Sequence, residues 1–349
     1  MRRATLIAAL AMALPVTAAA QDNAAPAIPP SAPAIGGEAA PAPALFQASG
    51  SRTKRRGSMV GYIEDATIRT EVRVRFDAGW GIDSPDRAEF FYGKCGCYRD
   101  LAGSPLLDPD APGPGPGIVT DMWFRQFNVL ASYAVTPRLA VFGELPFRFI
   151  NPESFVANTG SFDSQKGLGD INAGAKFSVL SDDTRDVTVL LRASFPSGDS
   201  LKGLGTDHAS IEPALLYRQD FNDRVSIESQ FGLWNPIGGS RGPQPTDDDF
   251  SGSILYYGIG PSFDLVSTDR FRLSPVVELV GWHVLSGFET STLLTPLGGD
   301  AKGVDVVNLK FGARTSWGSG GSIYAGFGVA LTDAKWYDKV FRLEYRAGF

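Results

Sequence analysis

The last nine residues of the chain alternate strictly between two kinds of side chain. The segment Phe341–Phe349 reads FRLEYRAGF, with Phe, Leu, Tyr, Ala and Phe at the odd positions and Arg, Glu, Arg and Gly at the even ones. Successive side chains of a β-strand point to opposite faces of the sheet, so this segment has one apolar face and one mainly charged face. The chain therefore ends in a strand that needs an apolar environment on one side and a polar one on the other.

The same period-two alternation recurs from Ala66 onward and predicts twelve strands. Most of them are close to the nine to eleven residues that a tilted strand needs to cross a bilayer. The predicted strands span residues 66–77, 121–135, 139–150, 167–179, 187–196, 208–219, 224–234, 250–264, 271–283, 303–315, 322–331 and 336–349.

The connections between these strands alternate in length. They are short after even-numbered strands and mostly longer after odd-numbered ones, with residues 78–120 the longest. Short periplasmic turns, longer external loops and an even strand count are typical of outer-membrane barrels. We therefore predict an all-β, 12-stranded antiparallel transmembrane β-barrel over residues 61–349. In such barrels the last strand is an assembly signal, here carried by Phe341, Leu343, Tyr345 and Phe349.

The N-terminus indicates export. Arg2 and Arg3 precede the apolar stretch Leu6–Leu14, and a run of small residues ends at Ala20. This pattern predicts a cleaved signal peptide over residues 1–20, with an uncleaved anchor as the alternative. The Ala/Pro-rich residues 21–60 cannot bury a core, so they predict a disordered periplasmic linker. The expected location is the outer membrane of a Gram-negative bacterium.

The six tryptophans all fall at predicted strand ends or in adjoining turns. Tryptophan prefers the membrane–water interface, so this placement predicts interfacial belts. A soluble barrel with an apolar interior is the alternative. Twelve strands in one closed sheet would leave that apolar interior empty, which argues against a soluble closed barrel. A soluble protein built from two packed sheets is the remaining alternative.

Charged residues on the polar rows define a candidate lumen. Isolated charges there are costly, so pairing is expected. Structural ion pairs are the simpler interpretation of any one residue, and a solute-selecting constriction is the functional one. The candidates for the pore-lining constriction are Arg73, Glu144, Lys176, Arg192, Glu212, Glu228, Glu278, Lys310 and Arg342. Those at the periplasmic rim are Arg218, Arg224, Arg272, Arg314 and Arg346.

The predicted lumen is basic although the chain is acidic. The net charge of −6 argues against nucleic-acid binding. The lumen rows, however, carry thirteen bases against seven acids when Arg69, Arg75, Arg148, Glu71, Asp170 and Glu344 are included. This excess predicts a mild anion preference for an open pore.

The two cysteines, Cys95 and Cys97, lie in the long connection 78–120. In an oxidising compartment they can pair in a disulfide, although the ring across one residue would be strained. A metal or redox site needs more ligands than the sequence offers, and no cofactor or metal is expected. The connection itself either folds into the lumen as a constriction or remains a mobile surface loop.

Several segments resemble a known outer-membrane family. They are Leu145–Phe147, Gly167–Ile171 with Ala175–Phe177, Phe195–Asp199 and Glu212–Tyr217. Together they resemble the family labelled "MetA-pathway of phenol degradation" over residues 120–349. The long first loop with its cysteine pair is outside that pattern. The resemblance implies a transporter-like barrel for aromatic or other small apolar compounds.

Three functions follow as hypotheses. The first is a channel or transporter for passive passage of small molecules, with outer-membrane lipid, lipopolysaccharide and the barrel-assembly machinery as partners. The second is a closed structural or adhesive barrel. The third is a phospholipase-type enzyme, for which His208 and Ser210 have a spacing that places both on one strand face. That pair lacks an evident third member, so no catalytic residue is assigned and no enzymatic activity is expected.

Overall fold

The computed structural model describes residues 57–83, 118–156, 163–238, 251–289, 299–318 and 320–349. Within these ranges twelve long strands form a closed antiparallel barrel. The predicted fold class is confirmed. The strands are β1 Glu71–Ile82, β2 Ile118–Thr136, β3 Leu139–Val156, β4 Ile171–Ser181, β5 Arg185–Phe195, β6 Ala209–Asp220, β7 Val225–Ile237, β8 Ile254–Phe263, β9 Phe271–Val284, β10 Asp305–Trp317, β11 Gly321–Ala330 and β12 Lys339–Gly348.

Each strand pairs with its neighbours in sequence, and β12 pairs with β1 to close the sheet. The closing register runs from Glu71 opposite Gly348 to Trp80 opposite Lys339. Closure leaves no edge strand with unpaired backbone groups. Such groups are too costly in a sheet that is exposed to lipid. The short strands Gln165–Leu168 and Val266–Ser267 add to β3 and β9, and Phe288–Glu289 pairs with Gly299–Asp300.

The connections fall into two groups at opposite ends of the barrel. Five short connections, at residues 137–138, 182–184, 221–224, 264–270 and 318–320, lie at the end where β1 starts and β12 finishes, here called the turn end. The strand ends that flank the longer connections lie at the other end, here called the loop end. This agrees with the alternation in length predicted from the sequence.

One turn shows how a short connection is fixed. A carboxylate oxygen of Asp182 accepts hydrogen bonds from the backbone N–H groups of Thr184 at 2.9 Å and Arg185 at 2.8 Å. These bonds, led by the one from Thr184, lower the pKa of Asp182 to about 2. The side chain thus replaces backbone partners that the turn itself does not supply.

The apolar rows face outward and the charged rows face inward. Val72, Leu191 and Leu343 are 36%, 53% and 45% exposed. The alternate residues Arg73 and Glu344 are 4% and 1% exposed. The outer surface is therefore the apolar one, as a barrel wall in contact with lipid requires.

No helix among the residues that the structure describes combines the length and apolar character needed to cross a bilayer.

The first strand differs from the prediction. It begins at Glu71 rather than Ala66 and continues to Ile82. Residues 57–70 are neither strand nor helix and run through the barrel interior, although residues 57–60 were assigned to the periplasmic linker. Local alternation cannot show where a chain leaves the wall, because Ile68 beside Arg69 continues the pattern by chance. The predicted signal peptide and residues 21–56 lie outside the described residues.

The tryptophans do not all form belts at the membrane surface. Trp80 and Trp317 are exposed on the outer face. Trp234 and Trp336 are buried inside, and Trp282 packs against Trp336 with ring centroids 4.4 Å apart. A position at a strand end fixes the level of a side chain along the barrel axis. Whether the side chain points inward or outward depends instead on whether its position in the strand is odd or even. The prediction of belts was therefore wrong for these three residues.

A charged residue placed on the outer face should destabilise the barrel according to its depth. We expect Leu191→Arg, near the middle of β5, to cost about 2–4 kcal/mol and Val266→Arg, at the turn end, about 0–1 kcal/mol. The measurement is the free energy of unfolding in lipid vesicles by urea titration. Equal costs at the two positions would contradict the assigned orientation.

Candidate functional site

A stretch of chain that belongs to no strand lies within the barrel. Residues 57–70, here called the lumen segment, precede β1 directly. Met59, Val60, Ile63 and Asp65 are at most 2% exposed. The backbone N–H of Phe349 donates to the carbonyl of Thr70, so the segment ends beside the chain terminus at the turn end. The barrel therefore contains part of its own N-terminal region.

Carboxylates of the wall accept hydrogen bonds from the backbone of the lumen segment. Glu278 accepts from the N–H groups of Gly61, Tyr62 and Ile63 at 3.0, 2.8 and 2.8 Å. Glu228 accepts from the N–H of Met59 at 2.9 Å. Three successive amides directed at one carboxylate form a strong, charge-assisted anchor. Glu278 is thus the principal acceptor for a backbone that has no strand partner.

Cationic side chains complete the pairing from the opposite direction. Arg314 donates to the carbonyls of Met59 and Val60 at 3.2 and 2.7 Å. Arg342 donates to the carbonyl of Gly61 at 2.7 Å. Lys176 donates to that of Asp65 at 2.8 Å. These bonds satisfy carbonyl groups that would otherwise be buried without a partner.

The lumen segment also contributes two carboxylates of its own. Glu64 forms ion pairs with Lys176 at 2.7 Å, Arg192 at 3.0 Å and Arg73 at 3.4 Å. Asp65 pairs with Arg69 and, at 3.5 Å, with Arg346. Strands β1, β4, β5 and β12 are therefore joined through a piece of chain that lies between them.

The barrel wall is shaped to receive this segment. A Cβ atom on Gly260 of β8 would lie 2.8 Å from the Cγ1 atom of Val60, and one on Gly258 would lie 3.0 Å from that of Ile63. A Cβ atom on Gly61 would lie 2.2 Å from the ring of Tyr324. Such distances leave no room for a side chain, so glycine permits the close approach on both sides.

Among the described residues, the interior is filled toward the turn end and leaves a cavity toward the loop end. Arg218, Arg314 and Asp264 are 0% exposed near the turns. Farther along the barrel lies a cavity of about 290 Å³, here called the loop-end cavity. Tyr62 and Glu64 of the lumen segment form part of its lining. The segment thus separates this cavity from the turn end.

Most of the charges that line the loop-end cavity are paired with one another, whereas Asp170 accepts hydrogen bonds from the backbone N–H groups of Gly198 and Thr206. Arg75 contacts Glu144 and Asp77, each at 3.1 Å. Arg342 contacts Asp77 at 2.6 Å, and Arg192 contacts Glu212 at 3.2 Å. The cavity has a polar wall whose positive and negative groups compensate each other.

The predicted constriction residues occupy two environments. Lys176, Glu228, Glu278 and Arg342 bind the backbone of the lumen segment, and Arg73 and Arg192 bind its Glu64. Glu144 and Glu212 line the cavity. Lys310 donates to the hydroxyl of Tyr337 at 2.8 Å and lies 4.0 Å from the ring centre of Tyr62. Their role in selecting solutes stays a prediction.

The predicted rim arginines do not act alike. Arg314 and Arg346 reach the lumen segment, whereas Arg218 pairs with Asp220 at 2.9 Å and Arg272 with Asp264 at 3.0 Å. Arg224 is exposed in its turn.

In the C-terminal strand, Leu343, Tyr345 and Phe349 are exposed and Phe341 is partly exposed, as a lipid-facing row requires. Cys95, Cys97 and residues 84–117 of the connection 78–120, which was predicted as a possible constriction, lie outside the described residues.

Sequence reasoning missed six carboxylates of the lumen. Two belong to the lumen segment and had no predicted place there. Of the others, Asp77 and Asp264 are the last residues of predicted strands, and Asp186 and Asp220 lie next to predicted strand ends. They equal in number the excess of six bases in the sequence count, which included Arg224, and the anion preference stays a prediction. These residues are Glu64, Asp65, Asp77, Asp186, Asp220 and Asp264.

The residues considered for hydrolytic chemistry are not assembled into a catalytic arrangement. The Nδ1 atom of His208 is 2.7 Å from the carbonyl oxygen of Thr206. The Oγ atom of Ser210 is buried and has no hydrogen-bond partner among the described residues. A serine nucleophile needs a base within hydrogen-bond reach. Across the described ranges, no group of three or more His, Cys, Asp or Glu side chains is placed to hold a metal ion.

Comparison with known proteins gives architectural likeness at low identity. No family model and no curated protein matches the chain. An outer membrane channel from Pseudomonas putida F1 is 12% identical, with 83% of this chain and 99% of that chain covered and a TM-score of 0.49. The beta domain of the Bordetella autotransporter Brka is 12% identical, with 80% and 100% covered and a TM-score of 0.45. The KdgM porin is 8% identical, with 80% and 99% covered and a TM-score of 0.38. Similarity at this level does not extend to function.

Removing the carboxylate of Glu278 should release the lumen segment. Glu278→Ala leaves three backbone amides without an acceptor, and each lost bond costs roughly 1–3 kcal/mol if the group stays buried. We expect amide hydrogen exchange in a peptide covering residues 57–70 to accelerate at least about tenfold. Glu153→Ala, on an exposed side chain of β3, is the matched control. Unchanged exchange in Glu278→Ala would show that the carboxylate does not hold the segment.

Proposed function

We propose that this protein is an outer-membrane channel for small polar solutes, and that the lumen segment closes it in the state described. The observation that carries the proposal is the manner of closure. The barrel interior is occupied by a piece of chain that contributes no strand and is bound mainly through its backbone. A plug of this kind can leave without breaking the wall.

Closure by a separate segment favours a gated channel over a permanently sealed barrel. A lumen that is always closed needs only side chains of the wall, which can pair directly across it. Here Glu228, Glu278 and Arg314 bind the lumen segment instead. A hydrogen bond to a charged group contributes about 1.5–3 kcal/mol net, because water can replace the partner. Release of the segment into water therefore exchanges these bonds for hydration.

The lining of the loop-end cavity favours polar solutes over apolar ones. Arg75, Glu144, Arg192 and Glu212 contribute ionic groups to it. An apolar solute would have to displace water from these groups without supplying hydrogen bonds, which is unfavourable. The resemblance to the MetA-pathway family implied aromatic or apolar compounds, and the geometry supports a different solute class. Balanced charges also support weak ion selectivity in place of an anion preference.

The apolar outer surface supports the proposed location. A continuous row of exposed apolar side chains on every strand requires lipid around it, and only a closed barrel or helices satisfy the backbone there. We place the turn end in the periplasm and the loop end outside. The last strand, β12, would be recognised by the assembly machinery through the segment Phe341–Phe349, and lipopolysaccharide would contact the outer leaflet side.

Deleting the lumen segment tests the channel directly. A chain that lacks residues 57–66 keeps all twelve strands, and water can fill the vacated interior. We expect its single-channel conductance in planar bilayers to rise at least about tenfold over the full chain, because the obstruction between cavity and turn end is gone. Swelling of liposomes in polar solutes of graded size gives the size limit.

A point substitution provides a second route to the same state. Gly260→Val would place its side chain against Val60 and should displace the lumen segment, whereas Gly143→Val adds an outward side chain near no such contact and serves as the control. A full chain that already conducts as well as the deletion variant would contradict plugging. A folded, membrane-inserted deletion variant without conductance would instead support the closed structural barrel.

A further inference from the structure

The loop-end cavity has the chemistry of a binding site as well as a passage. We propose that it binds a neutral, hydroxyl-rich small molecule, of the chemical class of sugars and polyols. This inference rests on the proposed function in one respect, that the cavity is the outer entrance of the channel. It adds a ligand class that follows from unpaired hydroxyl groups, balanced charges and aromatic rings in one wall.

Two buried hydroxyl groups in the cavity wall have no partner among the described residues. They are the Oγ atom of Ser210 and the phenol oxygen of Tyr256, on residues only 2% and 7% exposed. The hydroxyl of Tyr62, in the lumen segment, is also buried and has no partner in the described part of the chain. Leaving such a group unsatisfied costs free energy, so native proteins pair nearly all of them with protein, water or ligand. Three unpaired hydroxyls around one cavity therefore point to an occupant that forms hydrogen bonds.

The ionic groups of the wall favour an occupant without net charge. Arg75, Arg192 and Arg342 already face the carboxylates Asp77 and Glu212 at 3.2 Å or less. A charged ligand would have to compete with the carboxylate or guanidinium that is already in each pair. The member of the pair with the same charge as the ligand would also repel it. A neutral ligand can accept from a guanidinium and donate to a carboxylate without breaking the pair.

Hydroxyl groups match this wall better than other neutral groups do. Carboxylates only accept hydrogen bonds and guanidinium groups only donate them, whereas a hydroxyl does both. The lining contains both types, for example Glu144 and Arg148, together with the side-chain amides of Asn172 and Gln230. A molecule that carries hydroxyls on several sides can satisfy partners in every direction, which an apolar aromatic compound cannot.

Aromatic side chains supply the remaining part of the site. Trp234, Trp282, Tyr337 and Phe124 line the same cavity. Ring-shaped sugars present C–H groups on their faces and hydroxyls at their edges, so they suit a wall in which rings and polar groups alternate. The volume of about 290 Å³ is at the lower end of the range for small-molecule sites. It therefore fits a molecule of one or two sugar units.

Binding should be measured on the full chain in detergent, with the lumen segment in place. Glucose and sucrose are the neutral probes, glucuronate the anionic one and phenol the apolar one. Calorimetry and the fluorescence of Trp234 and Trp282 provide two readouts. We expect saturable binding of a neutral probe at least about tenfold tighter than that of glucuronate or phenol. Ser210→Ala and Tyr256→Phe should each weaken it roughly tenfold, by loss of a hydrogen bond.

Matched controls lie outside the cavity. Ser226→Ala removes a buried hydroxyl that pairs with Ser262 at 2.8 Å, and Tyr133→Phe removes one from the outer face. Both variants should bind as the unaltered chain does. Absence of saturable binding by glucose and sucrose, tighter binding of glucuronate or phenol, or equal binding by all four variants would overturn the proposal. None of these outcomes affects the conductance test of the lumen segment, so the two ideas can fail separately.

Discussion

The structure depends on one constraint: the polar face of a closed twelve-stranded sheet must be satisfied in a space that its own side chains do not fill. Lipid fixes the direction of the wall, because the apolar row of each strand has nowhere else to go. The opposite row then carries charges into a confined interior, where unpaired ionic groups are costly. The lumen segment meets this need at the turn end. Its backbone offers donors to Glu278 and acceptors to Arg314 in one short stretch.

The same constraint explains why the interior is polar where it could have been sealed by apolar packing. Apolar residues do enter it: Ile63 and Val60 pack near Val276 and Val280. They lie between ionic groups that hold the chain in place, and glycines such as Gly260 bring the backbone close enough for those bonds to form. A contact surface of this kind is stable when assembled and wettable when separated. That combination suits a plug, whereas an apolar seal would expose apolar surface to water when the channel opened.

The chain divides its interior into two regions with different chemistry. Toward the turn end, charged side chains and the lumen segment bind one another. Toward the loop end, the ion pairs stay on the wall and surround a cavity in which the hydroxyls of Ser210 and Tyr256 have no partner among the residues that the structure describes. The boundary between them is formed by Tyr62 and Glu64, which belong to the segment and line the cavity. A ligand in the cavity would therefore contact the element proposed to open and close the channel.

The sequence by itself determined the barrel. Alternation predicted the strands and the outward row of Leu343 and Tyr345, and the connection lengths predicted a turn end and a loop end, because these depend on local period and on the solvent at each face. It did not reveal that residues 57–70 return into the lumen, that Trp234 and Trp336 point inward, or that Asp77 joins the inner charges. Those outcomes were decided by tertiary structure. Glu278 and Gly61 are 217 positions apart, and no local pattern encodes which distant backbone a buried carboxylate will bind.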